Sequence, residues 1–454
     1  VYLVAGLGLT GQSVLNYFAS QGEPCFALDT RPEFDTSELE KTYPEVEFAT
    51  GSLPSHWCGK ITSIVLSPGI SKSEPWVKYC INQGTEVIGD IELFARAAGQ
   101  PIVAITGSNG KSTVTTLVAE ALKEAGYVVG VGGNIGCPAL DLLTHETDFN
   151  VYVLELSSFQ LETTYSLQAV AATVLNISED HMDRYLALED YIQAKMTILN
   201  NTELAVLPLD FERVGIARPG DEVRFGLNYA EVLPPKEYGI VMKNSQAWLG
   251  WEDHASVPVS CMAQQGLHHQ LNALAMMALC RPFELSDTVF KKVLKAFKGL
   301  PHRTQVVLEQ DGISWINDSK GTNVGATVTA IESIKETSDG QVVLIAGGVG
   351  KEADFKELGQ AVAQSCGQAI LFGQDKAVIA QQLPAEKIKL VETLSEAVLL
   401  AKSLAKPGDA ILFSPACASF DQFKNYIERG NAFEAFVQQY IANEVGGESE
   451  YADT

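Results

Sequence analysis

The chain has 454 residues, which at about 150 residues per domain suggests roughly three domains. Lys and Arg total 32 against 56 Asp and Glu, so the net charge is −24. That excludes a broad grip on nucleic acid or anionic lipid, while leaving room for small anions held by a few focused cations or a metal. At 46% hydrophobic and 19% charged residues, the composition is that of a globular protein with cores, not of a disordered or fibrous one.

No apolar run approaches the roughly 18 residues of a membrane helix, and no basic-then-apolar leader opens the chain. It starts at Val1 rather than Met, so trimming of a residue or more is expected. The eight cysteines (Cys25, Cys58, Cys80, Cys137, Cys261, Cys280, Cys366 and Cys417) are scattered with no CxxC pair. They predict buried thiols in a reducing compartment, not a disulfide frame or a zinc site. A soluble, cytoplasmic, multidomain protein is expected.

Taken in order, the chain predicts three α/β blocks. The first opens with the apolar run Val1-Tyr-Leu-Val-Ala5, then Gly6-Leu-Gly8-Leu-Thr10-Gly11, then a helical pattern through Ser20. A second apolar run, Cys25 to Leu28, ends at Asp29-Thr30-Arg31, which is the strand–turn–helix–strand order of a parallel sheet. The second block begins near Pro101 with Ile102-Val-Ala-Ile105, a glycine turn and a long helix, followed by strand-like runs at Val151–Leu154 and Ala171–Leu175. From about Tyr238 to Val259 the alternation predicts short antiparallel strands. The third block follows Leu300-Pro-His-Arg303, with strands predicted at Val342–Ala346, Ala369–Phe372, Ile388–Val391 and Ala410–Phe413. Gly-Pro signals at Gly99-Gln-Pro101 and Gly299-Leu-Pro301 place the boundaries, giving domains 1–98, 99–299 and 300–454. The small, acidic residues from Gly446 to Thr454 are expected to fray.

Two glycine motifs carry chemistry. Gly6-x-Gly8-x-x-Gly11 after a strand lets a backbone approach a diphosphate at a helix N-terminus, and Asp29 lies at the usual distance for a ribose or base. A tight turn with no ligand remains the alternative there. Gly107-Ser108-Asn109-Gly110-Lys111-Ser112-Thr113 is more specific, although two residues rather than four separate its glycines. Backbone amides cradle phosphate oxygens, Lys111 neutralises the β/γ charge, and a hydroxyl of Ser112 or Thr113 suits Mg²⁺. Glu155, where the next buried strand ends, offers the hard oxygen ligand that Mg²⁺ prefers. His181, in Asn176-Ile-Ser-Glu-Asp180-His181-Met-Asp183-Arg184, falls at the carboxyl end of a further strand, where α/β ligands collect. Its acidic neighbours can instead cap a helix, Asp183 most of all.

With these residues in view the chain resembles the Mur ligases over essentially its whole length. The resemblance rests on the two glycine motifs, Ser67-Pro-Gly69-Ile70, Gly133-Asn134-Ile-Gly136, Glu155-Leu-Ser-Ser-Phe-Gln160 and Glu179-Asp-His-Met-Asp-Arg184. It continues through Leu300-Pro-His-Arg303, Asn317-Asp-Ser-Lys-Gly-Thr322 and Ser414-Pro-Ala-Cys-Ala-Ser-Phe-Asp421. The D-glutamate-adding branch is the nearest. The Asp-Asn-Pro-Arg signature of the diaminopimelate- or lysine-adding relative is absent, and folylpolyglutamate synthases would leave Gly6-x-Gly8 and Asp29 unexplained.

The resemblance implies a Rossmann-like UDP-binding first domain, a central P-loop ATPase-like domain and a Rossmann-like amino-acid-binding third domain. It implies ATP-dependent amide formation between UDP-N-acetylmuramoyl-L-alanine and D-glutamate through an acyl phosphate, with Mg²⁺, two ions in all. No nucleic-acid or membrane partner is implied, and a monomer is expected.

Carried over by motif, Leu9, Thr10, Asp29, Thr30, Arg31 and Gly69 would hold UDP, and Asn134, Ser157 and Gln160 would line the substrate and catalytic centre. Gly107 to Thr113 would hold the ATP phosphates, with Asn272 on adenine, Arg303 on phosphate and Asp318 on ribose. Ser112, Thr113, Glu155 and His181 would serve the metals, with Lys111, Glu155, His181 and Lys195 catalytic. Lys195 matches a lysine that the family carries as a carbamate, an anionic oxygen ligand. Thr322, Lys351, Ser419, Phe420 and Tyr426 would receive D-glutamate, with Lys320 in support. Set against these stand plainer alternatives: Lys351 as a solvated loop charge and Tyr426 as an aromatic core contact on the last helix. Two positions depart from the pattern: His269 stands where Asn is expected, and Val349 where Asp is frequent.

Two other classes compete. A nicotinamide oxidoreductase would use the first glycine motif but leave Lys111 and Glu155 idle. A nucleotide-gated binding protein would show no turnover.

Overall fold

In the computed structural model the chain forms three sheets, and all residues are described except 181, 183, 186, 212–219, 265, 339 and 442–454. His181, Asp183 and the segment 446–454 therefore lie outside the described residues.

The first sheet is parallel throughout, in the order Glu47–Thr50, Cys25–Asp29, Tyr2–Ala5, Ser63–Leu66, Glu86–Ile88. Both of its faces are covered, which is why Leu3–Ala5 and Ile64–Leu66 read as unbroken apolar runs. Leu3, Ala5 and Leu28 pack with Trp57 and Ile64 on one face, and Val4 and Ala27 join Phe18 on the other.

The central sheet has nine strands, in the order His254–Pro258, Gln246–Trp251, Glu237–Lys243, Asp221–Ala230, Leu204–Pro208, Ala171–Val174, Ile102–Thr106, Val151–Glu155, Val129–Gly133. Its pairings are parallel from Val129–Gly133 as far as Glu237–Lys243, and the last three strands form the antiparallel meander that the alternation predicts. In the third sheet Gln305–Gln310 and Ile313–Asn317 form a hairpin. Ala410–Phe413, Val342–Gly347, Cys366–Phe372 and Ile388–Leu390 follow in parallel. No helix among the described residues is long and apolar enough to cross a membrane.

The chain divides into two compact units. One contains the first and central sheets (Val1–Ile177, Glu189–Gln265 and Gln270–Phe297), and the other contains the third sheet together with Ser178–Leu188 and Gly266–His269. Within the first unit the two sheets share a core, in which Phe18, Ile91 and Phe94 pack with Ile102, Leu140, Tyr152 and Leu154. The ring of Phe94 meets Tyr152 edge-on at 5.0 Å, and Ser13 Oγ donates to Asp141 at 2.6 Å.

Glu92, on the helix Asp90–Ala97, fastens the same junction. Its carboxylate accepts the backbone N–H groups of Tyr165 (2.7 Å) and Ser166 (2.9 Å), the Ser166 hydroxyl (2.8 Å) and Arg96 Nε (2.8 Å). Burial alone would raise its pKa, but these donors outweigh it and hold the group below its ordinary value of 4.5. A depressed folded-state value contributes stability above pH 4.5 that is lost as pH falls through the folded value. Glu92→Gln, which turns an amide nitrogen toward these donors, should cost about 1–3 kcal/mol at neutral pH. The deficit should shrink on acidification below the carboxylate range. Denaturant unfolding of both proteins from pH 7 to 3 measures it, and equal stability at pH 7 would remove Glu92 from this role.

Candidate active site

The predicted phosphate-binding motif lies where a sequence of its kind belongs, between the buried strand Ile102–Thr106 and the helix Lys111–Glu124. Gly107 (φ 153°) and Gly110 (φ 80°) hold backbone conformations that side chains rarely adopt. A Cβ on Gly110 would also meet Asn272 Oδ1 at 2.9 Å, which brings the predicted adenine contact against the loop. Lys111 Nζ donates to the carbonyls of Gly107 and Ser108, each at 2.9 Å, so its charge is folded back over the loop.

Three further side chains contact this loop. Asn176 grips it from the end of the neighbouring strand: its Oδ1 accepts Asn109 N–H (2.8 Å), its Nδ2 donates to Asn109 O (3.0 Å), and its own carbonyl accepts Ser108 N–H (3.0 Å). From the helix Leu188–Met196 the buried Lys195 sends Nζ to Gly107 O at 2.9 Å and lies 4.5 Å from the ring centre of Tyr191. The Tyr191 hydroxyl is 3.0 Å from Ser108 Oγ.

Glu155 ends the strand Val151–Glu155, paired in register with Ile105 on one side and Gly133 on the other, so it stands beside the motif as predicted. It is buried, and Asn134 Nδ2 donates to its Oε1 at 2.8 Å. Its Oε2 is buried and has no hydrogen-bond partner among the described residues. A buried carboxylate oxygen without a donor is costly, and a hard divalent cation would satisfy it. The donor set of Glu155 with the hydroxyls of Ser112 and Thr113 therefore fits Mg²⁺. Among the described residues, no group of three or more His, Cys, Asp or Glu side chains could hold a metal.

Ser157 and Gln160 are engaged locally. They form a reciprocal capping box on the short helix Ser158–Leu161, with Ser157 Oγ accepting Gln160 N–H at 3.2 Å and Gln160 Oε1 accepting Ser157 N–H at 3.0 Å. The buried carboxyl of Asp90, at the start of the helix Asp90–Ala97, is pushed up to about 6 by desolvation.

In the first sheet the glycine turn is compulsory. A Cβ on Gly11 would lie 1.9 Å from Gly6 O, and Gly6 has φ 88°. Asp29 is buried at the following strand end, its Oδ2 accepting Leu7 N–H (2.9 Å) and its Oδ1 accepting Arg31 N–H (3.0 Å). Arg31 Nε and Nη2 clasp both oxygens at 2.8 Å, and this guanidinium is the chief reason the carboxyl titrates at about 2. Leu9 and Gly69 are exposed, and Thr10 and Thr30 half-buried, at the same strand ends.

The second unit gathers the remaining candidates. Asp318 is buried, its Oδ1 accepting Thr304 N–H (3.0 Å) and its Oδ2 the Ser414 hydroxyl (2.6 Å). Burial pushes it up to about 6. Arg303 adjoins this pair in the chain. Lys320 Nζ lies 4.3 Å from the ring centre of Tyr426, so that ring does more than fill the core.

Lys351, with φ 51°, is not a solvated charge. It pairs with Asp180 Oδ1 at 3.3 Å, while Asp180 Oδ2 accepts from Asn323 Nδ2 at 3.2 Å. Glu179, Asp180, Thr322, Asn323, Gly350 and Lys351 line one small cleft. Ser419 is buried and Phe420 is 73% exposed. The sequence singled out neither the Asp180–Lys351 pair nor the clamp by Asn176 and Tyr191. Both join segments distant in the chain and carry no motif of their own.

Three family profiles cover the chain: "Mur ligase MurD-like, N-terminal domain" over residues 1–89, "Mur ligase middle domain" over 105–280 and "Mur ligase, glutamate ligase domain" over 302–417. A relative from Hydrogenovibrio crunogenus, named UDP-N-acetylmuramoylalanine--D-glutamate ligase, is 90% identical across 99% of this chain and 100% of its own length. The chain belongs to the Mur ligase family.

A protein of the same name from Escherichia coli is 45% identical over 96% of this chain and 98% of that one. Among solved structures, a pseudomurein peptide ligase type C from Methanothermus fervidus matches with a TM-score of 0.61 at 17% identity, covering 96% and 99% of the two chains. The UDP-N-acetylmuramate-alanine ligase of Thermotoga maritima matches with a TM-score of 0.59 at 17% identity over the same shares. At those identities they speak to the Mur ligase fold alone.

In this Mur ligase the Asn176 clamp yields a test independent of turnover. Asn176→Ala frees the Asn109 amide from its fixed direction and should weaken binding of an adenine nucleotide about tenfold, one hydrogen-bonded contact's worth. The melting temperature should change little. Titration with a fluorescent ATP analogue measures it, and unchanged affinity would show that the loop holds its shape without Asn176.

Proposed function

We infer that this chain joins the carboxylate of UDP-N-acetylmuramoyl-L-alanine to the amine of D-glutamate, driven by ATP, in the synthesis of peptidoglycan precursors. The observation that carries this is the 90% identity, end to end, with a relative named for that reaction. A phosphate loop with its lysine and a buried carboxylate beside it supply the matching chemistry.

A carboxylate resists attack by an amine until one of its oxygens leaves as phosphate. In the proposed sequence the alanyl carboxylate attacks the γ-phosphate and forms an acyl phosphate. The D-glutamate amine then adds to that carbonyl, and the tetrahedral intermediate expels phosphate. The backbone amides of 107–110 orient the triphosphate, and Lys111 stabilises the charge on the migrating phosphoryl group. Asn134, held against Glu155, orients the acceptor, with Ser157 and Gln160 shaping the same wall. Mg²⁺, when bound at Glu155, Ser112 and Thr113, would neutralise phosphate charge and draw the anionic reactants together.

The domain division 1–98, 99–299 and 300–454 is proposed to separate UDP, ATP and D-glutamate binding. Leu9, Thr10, Asp29, Thr30, Arg31 and Gly69 are proposed for UDP. Asn272, Arg303 and Asp318 are proposed for the nucleoside and phosphates of ATP. Thr322, Lys351, Ser419, Phe420 and Tyr426 are proposed for D-glutamate, where Lys351 supplies charge and the hydroxyls donate. His181 would serve a second Mg²⁺. A cytoplasmic monomer with reduced thiols fits the scattered cysteines.

Lys195 is proposed to act as a carbamate. Its near-complete burial against Gly107 supports this, because desolvation favours the neutral amine that carbamylation needs. Phosphate release should require UDP-N-acetylmuramoyl-L-alanine and D-glutamate together, and better turnover with L-lysine or diaminopimelate would overturn the substrate assignment. Lys195→Ala should lose most of this activity and regain part of it with added short carboxylic acids. Full activity without added acid would refute a catalytic Lys195.

A further inference from the structure

Arg429 is the most buried cation among the described residues of the second unit, at 0% exposure, and none of the site assignments above uses it. It sits in the first turn of the helix Tyr426–Tyr440, where the helix dipole disfavours a positive charge. No carboxylate lies within ion-pairing distance of it among the described residues. Its hydrogen bonds all go to neutral acceptors: Nε to Ser319 Oγ (3.1 Å), Nη2 to Ser319 O (2.8 Å) and Nη1 to Cys417 O (3.0 Å). Asp318 and Asp421 act on it only through space, and burial lowers its pKa to about 10, so it stays charged at neutral pH. A charge kept under burial and against a dipole has a cost that structure alone could avoid, since an apolar residue of similar volume often substitutes well.

The acceptors say what the charge is placed for. Ser319 belongs to the loop that carries Thr322, and Cys417 to the loop that carries Ser419. The third loop, leading to Lys351, closes over the same group. A Cβ on Gly348 would lie 3.3 Å from Nη1, and Val349 and Ala418 exchange backbone hydrogen bonds at 3.0 and 2.9 Å. One planar fork thus spans the three loops that present the proposed D-glutamate contacts. The attacking form of that substrate, with a neutral amine, carries two carboxylates in a protein of net charge −24.

We propose that Arg429 is a positioning residue for the amino-acid substrate, fixing the loops of Thr322, Lys351 and Ser419 in register and adding a permanent positive field behind the D-glutamate carboxylates. The proposal rests on the D-glutamate assignment above.

The test is steady-state kinetics of the full-length enzyme and two variants, varying D-glutamate and ATP separately, with melting temperatures recorded. Arg429→Lys keeps the charge but not the fork, and should raise KM for D-glutamate about tenfold. Arg429→Met loses both, and should raise it roughly a hundredfold, while KM for ATP stays within about threefold in either variant. If Arg429→Met does not fold, the lysine variant decides. A rise shared equally by both KM values, or wild-type KM for D-glutamate in the lysine variant, would overturn the proposal. The wild-type control separates the two claims: failure to join D-glutamate at all would remove the functional reading and this proposal together. Turnover with D-glutamate and an indifferent Arg429 would remove this proposal alone.

Discussion

A nucleoside triphosphate, a carboxylate and an amino acid with two carboxylates repel one another, and a chain with a net charge of −24 must still gather them. The structure meets this constraint with few cations, each held by neutral oxygen atoms, by an aromatic ring or by one carboxylate. In the first unit Lys111 donates to the carbonyls of Gly107 and Ser108. In the second unit Lys351 rests on Asp180, Lys320 on the ring of Tyr426, and Arg429 on carbonyls and a hydroxyl. Arg429, held by neutral acceptors, keeps much of its field for a ligand, whereas a salt bridge such as Lys351–Asp180 spends part of it locally.

The acidic side chains are managed in the complementary way. Asp29 is saturated by Arg31 and a backbone amide, and Asp318 by Ser414 and Thr304, so neither adds a loose negative charge. Glu155 differs: one oxygen is held by Asn134 and the other has no partner. Its position beside the Lys111 loop, with that oxygen unpartnered among the described residues, suits a cation. The glycines serve the same end from the backbone side. Gly107 and Gly110 let N–H groups converge without side chains between them and a phosphate.

What could be read from the sequence follows from range. The strand–loop–helix around Lys111, the parallel first sheet and the antiparallel meander at Glu237–Pro258 are encoded by local apolar rhythm and by glycine and proline punctuation. Residue roles came largely through the resemblance, and there the structure adds what a motif cannot. Ser157 and Gln160 are spaced as a capping box, a local pattern that could have been recognised directly from S-x-x-Q. The Asp180–Lys351 pair and the grip of Arg429 on Ser319 could not. Each joins residues more than a hundred positions apart, and one sequence carries no signal for such pairings. The burial of Lys195 was out of reach in the same way, since a helix lysine is ordinarily solvated and this one donates to Gly107 O.

The central chemical claim is that the substrate carboxylate becomes an acyl phosphate, a mixed anhydride, before the amide forms, and isotope transfer tests it most directly. UDP-N-acetylmuramoyl-L-alanine labelled with ¹⁸O in both alanyl carboxylate oxygens is turned over with unlabelled ATP and D-glutamate, and the released phosphate is analysed by mass spectrometry. An acyl phosphate requires one labelled oxygen in each phosphate formed, with the other retained in the amide. Unlabelled phosphate accompanying full amide formation would contradict the account.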